Sequence, residues 1–204
     1  MTLNCPDESY YLRSTEIVAK ELIGKKLVHC IYDTHSKTKV RLSGIIIETE
    51  AYGFRNDPAS HAYKGLTSRN KIMFSKVGRA YLYFIYGSHF CINVSARSDK
   101  IKAGAVLLRS LQPFEGITIM KRLRNSEQIV GLTSGPGKIT QALNINKCQN
   151  GMDMTDPKNE LHIEFGIEPS LLHIIASKRI GISQATNKKW RFVCNDILNP
   201  KILC

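Results

Sequence analysis

The order of apolar and polar positions along the chain predicts one helix near the start and then a succession of strands. Residues 16–23 have helical apolar spacing; Ser14 or Thr15 can cap this helix, and Gly24 can end it. Apolar runs rich in β-branched and aromatic residues follow, separated by polar turns. They predict strands at 27–32, 40–52, 80–85, 89–95 and 104–111.

The connections between these runs carry signals of their own. Residues 53–70 contain Gly, Asn, Asp, Pro and Ser without apolar periodicity, which predicts a loop. The strands at 80–85 and 89–95 are joined by three residues that include Gly87, a link typical of a protruding β-hairpin.

The second half predicts two helices and several short strands. A basic amphipathic helix is expected at 115–124, and another is expected to start at Lys138. Most strands follow one another through turns, which is typical of an antiparallel sheet. We therefore predict an α+β fold in one mixed domain over residues 1–204 (core about 11–193), with a curved, largely antiparallel sheet and flanking helices.

The charge of the chain narrows the choice of partners. Its 204 residues carry a formal charge of +12, and basic residues exceed acidic ones by six in residues 1–100 (15 against 9) and by six in 101–204 (14 against 8). Such a surface attracts polyanions, of which nucleic acid is the common one. A generally basic protein or a protein that binds an anionic membrane would show the same excess.

Other compositional features predict where the protein works and what it binds. No apolar run approaches the roughly 20 residues of a membrane span, and the polar, acidic N-terminus differs from a secretory signal. The six cysteines form no C-x-x-C pair and no ligand spacing with the six histidines. We expect a cytoplasmic monomer with reduced thiols, without a metal, another cofactor or a membrane partner.

Two carboxylates lie close together at the end of a hydrophobic strand. Side chains alternate along a strand, so Glu48 and Glu50 share a face and Thr49 points the other way. Both could be solvated or paired with arginines, or one could act as a general base. Arg109, within the apolar strand at 104–111, is a natural charge partner if the two strands are neighbours.

The hairpin at 80–94 is unusually aromatic. Tyr81 and Tyr83 share a face, and core packing is the simplest interpretation for Phe84 and for Phe90. Tyr86 lies at the turn, where a ring has nothing of its own to pack on. An exposed wedge on a basic protein is what intercalation into a minor groove requires.

The segment SGPGK at 134–138 only partly resembles a phosphate-binding loop. Leu132 stands where G-x-x-x-x-G-K-[ST] requires its first glycine, and Ile139 follows the lysine, so nucleotide hydrolysis is not expected. A glycine-rich helix start followed by Lys138 could still hold one backbone phosphate. A plain turn between loop and helix is the alternative.

Together these segments resemble the alkyladenine (3-methyladenine) DNA glycosylase family from about residue 11 to about 193. The resemblance rests on ETEAY at 48–52, DPASHAYKGLTSRN at 57–70, MF at 73–74, AYLYFIYGSHFCINV at 80–94, VLLRSLQP at 106–113 and SGPGKITQALNI at 134–145. They occur in the family's order and with its spacing. The resemblance implies a fold similar to the C-terminal domain of methionyl-tRNA formyltransferase.

The resemblance also implies a monofunctional glycosylase of base excision repair that uses neither a metal nor a covalent intermediate. Glu50 matches the catalytic glutamate that activates water, Arg109 matches the arginine that helps to hold this water, and the backbone carbonyl of Ile180 is a further partner. The residues that sandwich the flipped base are matched by Tyr52, His61 and Tyr83. Asn93 matches the residue that excludes normal guanine.

Three further positions match contacts to duplex DNA. Tyr86 matches the residue that enters the minor groove in place of the flipped nucleotide, and Lys138 matches a backbone contact more loosely. Arg69 lies in a backbone-contacting loop where Ser68 replaces the proline of many relatives, which predicts a more mobile loop and a weaker contact. The expected substrates are 3-methyladenine and 7-methylguanine; whether the neutral lesions hypoxanthine and ethenoadenine are also cut depends on the shape of the pocket.

Two other functions remain to be weighed. A nucleic-acid-binding module without catalysis could share this fold, but it has no use for a buried carboxylate such as Glu50 beside Arg109. A bifunctional glycosylase that also cuts the strand needs an amine nucleophile, and none of the matched pocket positions is lysine.

Overall fold

A curled antiparallel sheet of eight strands forms the framework in the computed structural model, which describes residues 4–85 and 89–196. The strands are β1 (Lys26–Asp33), β2 (Thr38–Tyr52), β3 (Ala80–Ile85), β4 (His89–Ser95), β5 (Ala105–Glu115), β6 (Leu161–Glu164), β7 (Ile175–Ser177) and β8 (Arg191–Val193). Their order is β3-β4-β5-β2-β1-β6, and β8 pairs with β2 and β7. The five long predicted strands are confirmed.

Short helices flank the sheet. Within the described residues they are α1 (Glu8–Tyr11), α2 (Thr15–Glu21), α3 (Ile117–Arg124) and α4 (Pro136–Ala142), with 3-10 turns at Lys71–Phe74, Lys147–Gln149 and Pro169–Leu171. None of these described helices has the length and apolar character of a membrane span. The predicted α+β fold with a largely antiparallel sheet is confirmed.

The start of α2 follows the predicted capping pattern. The Ser14 side chain accepts a hydrogen bond from the N–H of Ile17, which satisfies one of the free donors of the first turn. Gly24 adopts a φ of +89° beyond the end of the helix, a conformation that glycine tolerates best.

The helix predicted at 115–124 begins two residues later in the structure. Strand β5 continues to Glu115, whose carboxylate accepts hydrogen bonds from Ser43 and Arg41 of β2. Gly116, with a φ of +74°, then turns the chain, and α3 begins at Ile117.

The other predicted helix starts earlier than expected. Pro136 occupies the first turn of α4, two residues before Lys138. Proline suits this position because its fixed φ is helical and the missing N–H would have had no helical partner.

Strand β2 runs through the middle of the sheet. One of its edges pairs with β5 over most of its length, whereas the other pairs first with β1 and then with β8. On its inner side, Thr49 Oγ1 donates to the carbonyl of Ala19 at 2.7 Å and ties α2 behind the strand. The far end of β2 is therefore held from three directions.

The register aligns one row of side chains across five strands. Glu50 is opposite Arg191 of β8 and Leu107 of β5; Leu107 is opposite Asn93 of β4, and Asn93 is opposite Tyr81 of β3. Directly opposed residues of antiparallel strands point to the same face. These five side chains therefore share the face that does not pack on α2.

The main apolar core lies on the opposite face of the central strands. Leu108 of β5 is completely buried there. We expect Leu108→Ala to lower the free energy of unfolding by about 2–5 kcal/mol, because the lost methyl groups leave a cavity. Urea denaturation measures the change; Val130→Ala, at an 89% exposed position, is the control and should change it by no more than about 0.5 kcal/mol. Equal midpoints for the two variants would contradict the packing of Leu108.

Candidate active site

Glu50 is a completely buried carboxylate near the end of β2. Its Oε1 accepts a hydrogen bond from the N–H of Ile180 at 2.8 Å and lies 3.6 Å from Nη1 of Arg109. Its Oε2 accepts a hydrogen bond from the hydroxyl of Tyr52 at 2.8 Å. Three groups from three segments of the chain therefore fix the orientation of this carboxylate.

Burial and these partners act on Glu50 in opposite directions. Burial raises the pKa of the carboxyl above its ordinary value, while Arg109, the N–H of Ile180 and the hydroxyl of Tyr52 lower it; the neighbouring Glu48 raises it further. The net pKa is raised. A carboxylate that is more basic than an ordinary glutamate and is held in place is suited to accept a proton near neutral pH.

Arg109 connects the two carboxylates of β2. Its Nε donates to Glu48 Oε1 at 3.0 Å, and the same oxygen accepts a hydrogen bond from Nε of Arg191 at 2.6 Å. The predicted charge partnership of Arg109 with both glutamates is confirmed, as is the common face of Glu48 and Glu50. Glu48 thereby anchors the arginine that faces Glu50.

An aromatic cavity opens beside Glu50. It encloses about 530 Å³ of empty space, including its open mouth. Its walls contain all four residues predicted to bind a base, which are Tyr52, His61, Tyr83 and Asn93. The rest of the lining is formed by Tyr81, Met73, Ala59, Ala105, Gly181 and Ile182. The structure thus brings the four predicted base-binding residues together, although they are up to 41 positions apart in the chain.

The His61 ring packs edge to face against Tyr81 and Tyr83. The His61 and Tyr83 rings are 4.6 Å apart between centroids at an interplanar angle of 78°. The His61 ring also hydrogen-bonds to the Tyr81 hydroxyl at 2.9 Å through Nδ1. The loop that carries His61 is held by the buried Asn70, whose side-chain amide donates to the carbonyls of His61 and Gly65.

These rings are neutral at physiological pH. Burial, helped by Arg69, lowers the pKa of His61 below its ordinary value. Burial raises the pKa of Tyr81 to about 12 and also raises the pKa values of Tyr52 and Tyr83. Neutral π faces attract a flat cation, and the unprotonated histidine does not repel one.

Asn93 has a fixed orientation in the cavity wall. Its Nδ2 donates to the backbone carbonyl of Tyr81 at 3.0 Å, and the residue is buried. The NH2 end of the amide is therefore already hydrogen-bonded to the protein backbone. The proposed exclusion of guanine by this residue stays a prediction.

A second, more open groove adjoins the aromatic cavity. Tyr52, Tyr83 and Gly181 line both, and Arg109 lies in the groove. Its far wall is the segment 134–138 at the start of α4, where Gly135 N–H donates to the carbonyl of Arg109 at 2.9 Å. Arg109, Arg124 and Lys138 make this groove basic.

The predicted DNA-contacting positions lie around these openings. Lys138 is exposed in the groove, and Arg69 is exposed with its guanidinium carbon 5.6 Å from the centre of the Tyr83 ring. Their backbone contacts stay predictions. Tyr86 lies outside the described residues, so its predicted insertion is not tested.

Two sequence expectations need correction or refinement. Phe84 was expected in the core, but it is 51% exposed because it lies at the end of β3, beyond Leu82, which is the last core residue on its face. Its ring packs across the strand pair against Phe90, with 5.0 Å between ring centroids. Phe90 is partly buried against the core, as expected. Ile180 does meet Glu50, but the contact is made by its N–H; the predicted role of its carbonyl is not tested.

Sequence reasoning missed a buried ion pair behind the site. Arg179 and Asp57 form it, and both side chains are fully buried. Asp57 stands in a loop without periodicity and Arg179 follows a lysine, so neither position suggested burial. The one feature of the sequence that could have indicated this ion pair is the position of the charged Arg179 next to Ile180, a predicted partner of the water.

Comparisons with known proteins match the sequence of the chain to one family. A family model described as methylpurine-DNA glycosylase matches residues 9–197. A protein of Carboxydothermus hydrogenoformans is 44% identical over 183 residues, covering 90% of this chain and 91% of its own. Relatives from Clostridium acetobutylicum (41% over 195 residues, 90% of each chain) and Prosthecochloris aestuarii (38% over 193 residues, 95% of this chain and 88% of its own) are also similar. All three are provisionally named 3-methyladenine DNA glycosylases.

Proposed function

Because the chain belongs to the methylpurine-DNA glycosylase family, and is thus a DNA-repair hydrolase that acts on N-glycosyl bonds, we propose that it excises alkylated or deaminated purines from duplex DNA. It does so as a monofunctional monomer, without a metal or another cofactor. The products are the free base and an abasic site.

The observation that carries this proposal is a buried, oriented carboxylate beside a neutral aromatic cavity. Departure of a purine builds positive charge on the sugar, as in other glycosyl transfers. Glu50 stabilises this charge and accepts a proton from water as the water oxygen bonds to the anomeric carbon. The N-glycosidic bond breaks, and the purine leaves with the electron pair. Arg109 keeps Glu50 ionised and helps to hold the water.

The cavity selects the base. Tyr52, His61 and Tyr83 offer neutral rings to a purine that has been flipped out of the stack. An alkylated purine such as 3-methyladenine or 7-methylguanine carries a positive charge, which these rings favour over a neutral base. Asn93 excludes normal guanine by clashing with the exocyclic amine of the guanine base. Recognition of neutral lesions such as hypoxanthine and ethenoadenine depends on how well each base fits the shape of the cavity.

The surface around the cavity binds the DNA. Arg69 and Lys138 contact the backbone on either side of the opening, and the net charge of +12 supports a salt-sensitive attraction to phosphates. Tyr86 enters the minor groove and fills the place of the flipped nucleotide.

A panel of duplexes, each with one lesion, tests this function. Release of the free base is measured for 3-methyladenine, 7-methylguanine, hypoxanthine and ethenoadenine, with the undamaged duplex as control. Excision of at least one of these lesions without strand cleavage is expected, and failure to release any of the four would overturn the proposal. Borohydride treatment should trap no covalent adduct; an adduct would instead indicate the bifunctional mechanism.

Tyr86→Ala is expected to weaken capture of lesion-containing duplexes by about tenfold or more, because loss of one stacking ring costs roughly 1–3 kcal/mol. Fluorescence anisotropy with lesion and undamaged duplexes measures this. Tyr32→Ala, at an exposed position of β1, is the control. Binding of lesion DNA by the Tyr86 variant at the strength of the control would show that Tyr86 is not the wedge.

A further inference from the structure

The segment that follows β7 forms one wall of the site but has no regular structure. Ile180 and Gly181 line the basic groove, and Gly181 and Ile182 line the aromatic cavity. Residues 178–184 make no main-chain to main-chain hydrogen bond with any other residue in the described part of the chain. Other contacts must therefore hold this wall in place.

Arg179 supplies the strongest of these contacts. Its Nη1 and Nη2 donate to the two oxygens of Asp57 at 2.7 and 2.6 Å, in a bidentate arrangement. Nη1 also donates to the carbonyl of Ala51 at 2.9 Å. The guanidinium carbon lies 4.7 Å from the centre of the Tyr52 ring and 5.3 Å from that of Trp190.

The other partner, Asp57, connects this contact to the end of β2. Its Oδ2 accepts a hydrogen bond from the N–H of Gly53 at 3.0 Å, and both members of the ion pair are fully buried. The pair thus ties the irregular segment to the backbone directly after Glu50. The next residue, Ile180, donates its N–H to Glu50.

We propose that the Asp57–Arg179 ion pair is a positioning device that holds the N–H of Ile180 on the carboxylate of Glu50 and the ring of Tyr52 at the border of the two cavities. This inference rests on the proposed role of Glu50. Because its side chain is fully buried, Arg179 contributes no direct contact to DNA. It acts through Ile180 and Tyr52.

The consequence for Glu50 follows from the groups that face it. Arg109 of β5, the hydroxyl of Tyr52 and the N–H of Ile180 lower its pKa; Glu48 of β2 raises it, and the Cys91 thiol of β4 is a further titratable group nearby. If Ile180 is released, one of the three stabilising contacts is lost. The pKa of Glu50 then rises, and a larger fraction is protonated at any given acidic pH.

The experiment measures single-turnover base release against pH for Arg179→Lys and Asp57→Asn. Arg179→Lys keeps the charge but loses the bidentate geometry, and Asp57→Asn keeps an oxygen for Gly53. The maximal rate is expected to fall on the order of tenfold, as for loss of one hydrogen bond to a charged group. The acidic limb of the profile should move to higher pH, while the Kd for undamaged duplex DNA changes by less than about threefold.

Arg41→Lys is the matched control. Arg41 makes a bidentate pair with Glu164 at the opposite end of β2, so its replacement perturbs a comparable contact without touching the site. Thermal melting identifies the variants that fold. If Arg179→Lys does not fold, the milder substitution Asp57→Asn decides the question.

The outcomes separate this inference from the proposed function. If the wild-type protein releases the base and its acidic limb disappears in Glu50→Gln, the proposed function stands. A variant of the ion pair with the rate and acidic limb of Arg41→Lys would then overturn the positioning role alone. A rate that falls without a shift of the limb would also overturn it, because a general loss of structure does not need the Ile180 contact.

Discussion

Glu50→Gln is expected to reduce single-turnover base release by at least about 10³-fold, since it removes both the proton acceptor and the negative charge beside the anomeric carbon. Glutamine has nearly the same shape: its amide oxygen can still accept from the N–H of Ile180, and its NH2 group can donate to the hydroxyl oxygen of Tyr52. The Kd for lesion-containing duplexes should therefore stay within about threefold of the wild-type value. Quenched-flow or gel assays of base release, together with anisotropy titrations, measure the two quantities separately.

Glu115→Gln is the control for this substitution. Glu115 is a partly buried glutamate of β5 that pairs with Arg41, far from the cavity. Burial raises the pKa of its carboxyl, but Ser43 and Arg41 lower the pKa by more, so that the net pKa is lowered. Its replacement should leave base release unchanged. Wild-type rates for Glu50→Gln on 3-methyladenine or hypoxanthine duplexes would remove Glu50 from the mechanism.

Arg109→Gln is expected to slow base release at pH 7 by about 10²-fold and to move the acidic limb of the pH profile upward by about one to three pH units. The sign follows from Arg109 lowering the pKa of Glu50. Without this charge the raised pKa rises further, so Glu50 loses its proton only at higher pH. Raising the pH of the assay should then restore part of the rate, which a purely structural defect would not allow.

Arg191→Gln provides a matched comparison for Arg109. Arg191 donates to the same oxygen of Glu48, but among the described residues the ion pair with Glu50 is made by Arg109 and not by Arg191. Its replacement should leave the acidic limb within about half a unit of wild type. Equal shifts for the two variants would mean that general positive charge, and not the contact of Arg109 with Glu50, sets the pKa.

The alternation of strand side chains was enough to predict part of the site. It places Glu48 and Glu50 on one face and Tyr81 and Tyr83 on one face, because these residues are two positions apart on single strands. The pairing of Arg109 with the glutamates required the further assumption that β2 and β5 are neighbours. The sheet confirms it.

Other parts of the site depend on long-range geometry that local patterns do not contain. His61 lies in a loop, and its place in the cavity depends on the hydrogen bonds of Asn70. Asp57 and Arg179 are 122 positions apart, so no periodicity links them. These positions were reached through family resemblance or were missed.

The incorrect expectations have similar physical causes. Phe84 was assigned to the core on hydrophobicity, and it does share a face with Ala80 and Leu82 of the main core. It lies beyond the edge of that core, however, and Phe90 across the strand pair is its ring contact. The helix predicted from Glu115 yields to the strand because Glu115 pairs with Ser43 in the ladder and its carboxylate accepts hydrogen bonds from Ser43 and Arg41. In both places tertiary contacts outweigh local preference.

The row of side chains that runs from Arg191 through Glu50, Leu107 and Asn93 to Tyr81 makes enzymatic activity a measure of correct folding. A slip of one residue in any strand turns all its side chains to the other face. Such a molecule could keep much of its secondary structure and still lack either the carboxylate or a wall of the cavity. Activity recovered after refolding therefore counts only the molecules whose central strands have found their native register, whereas circular dichroism would count the others as well.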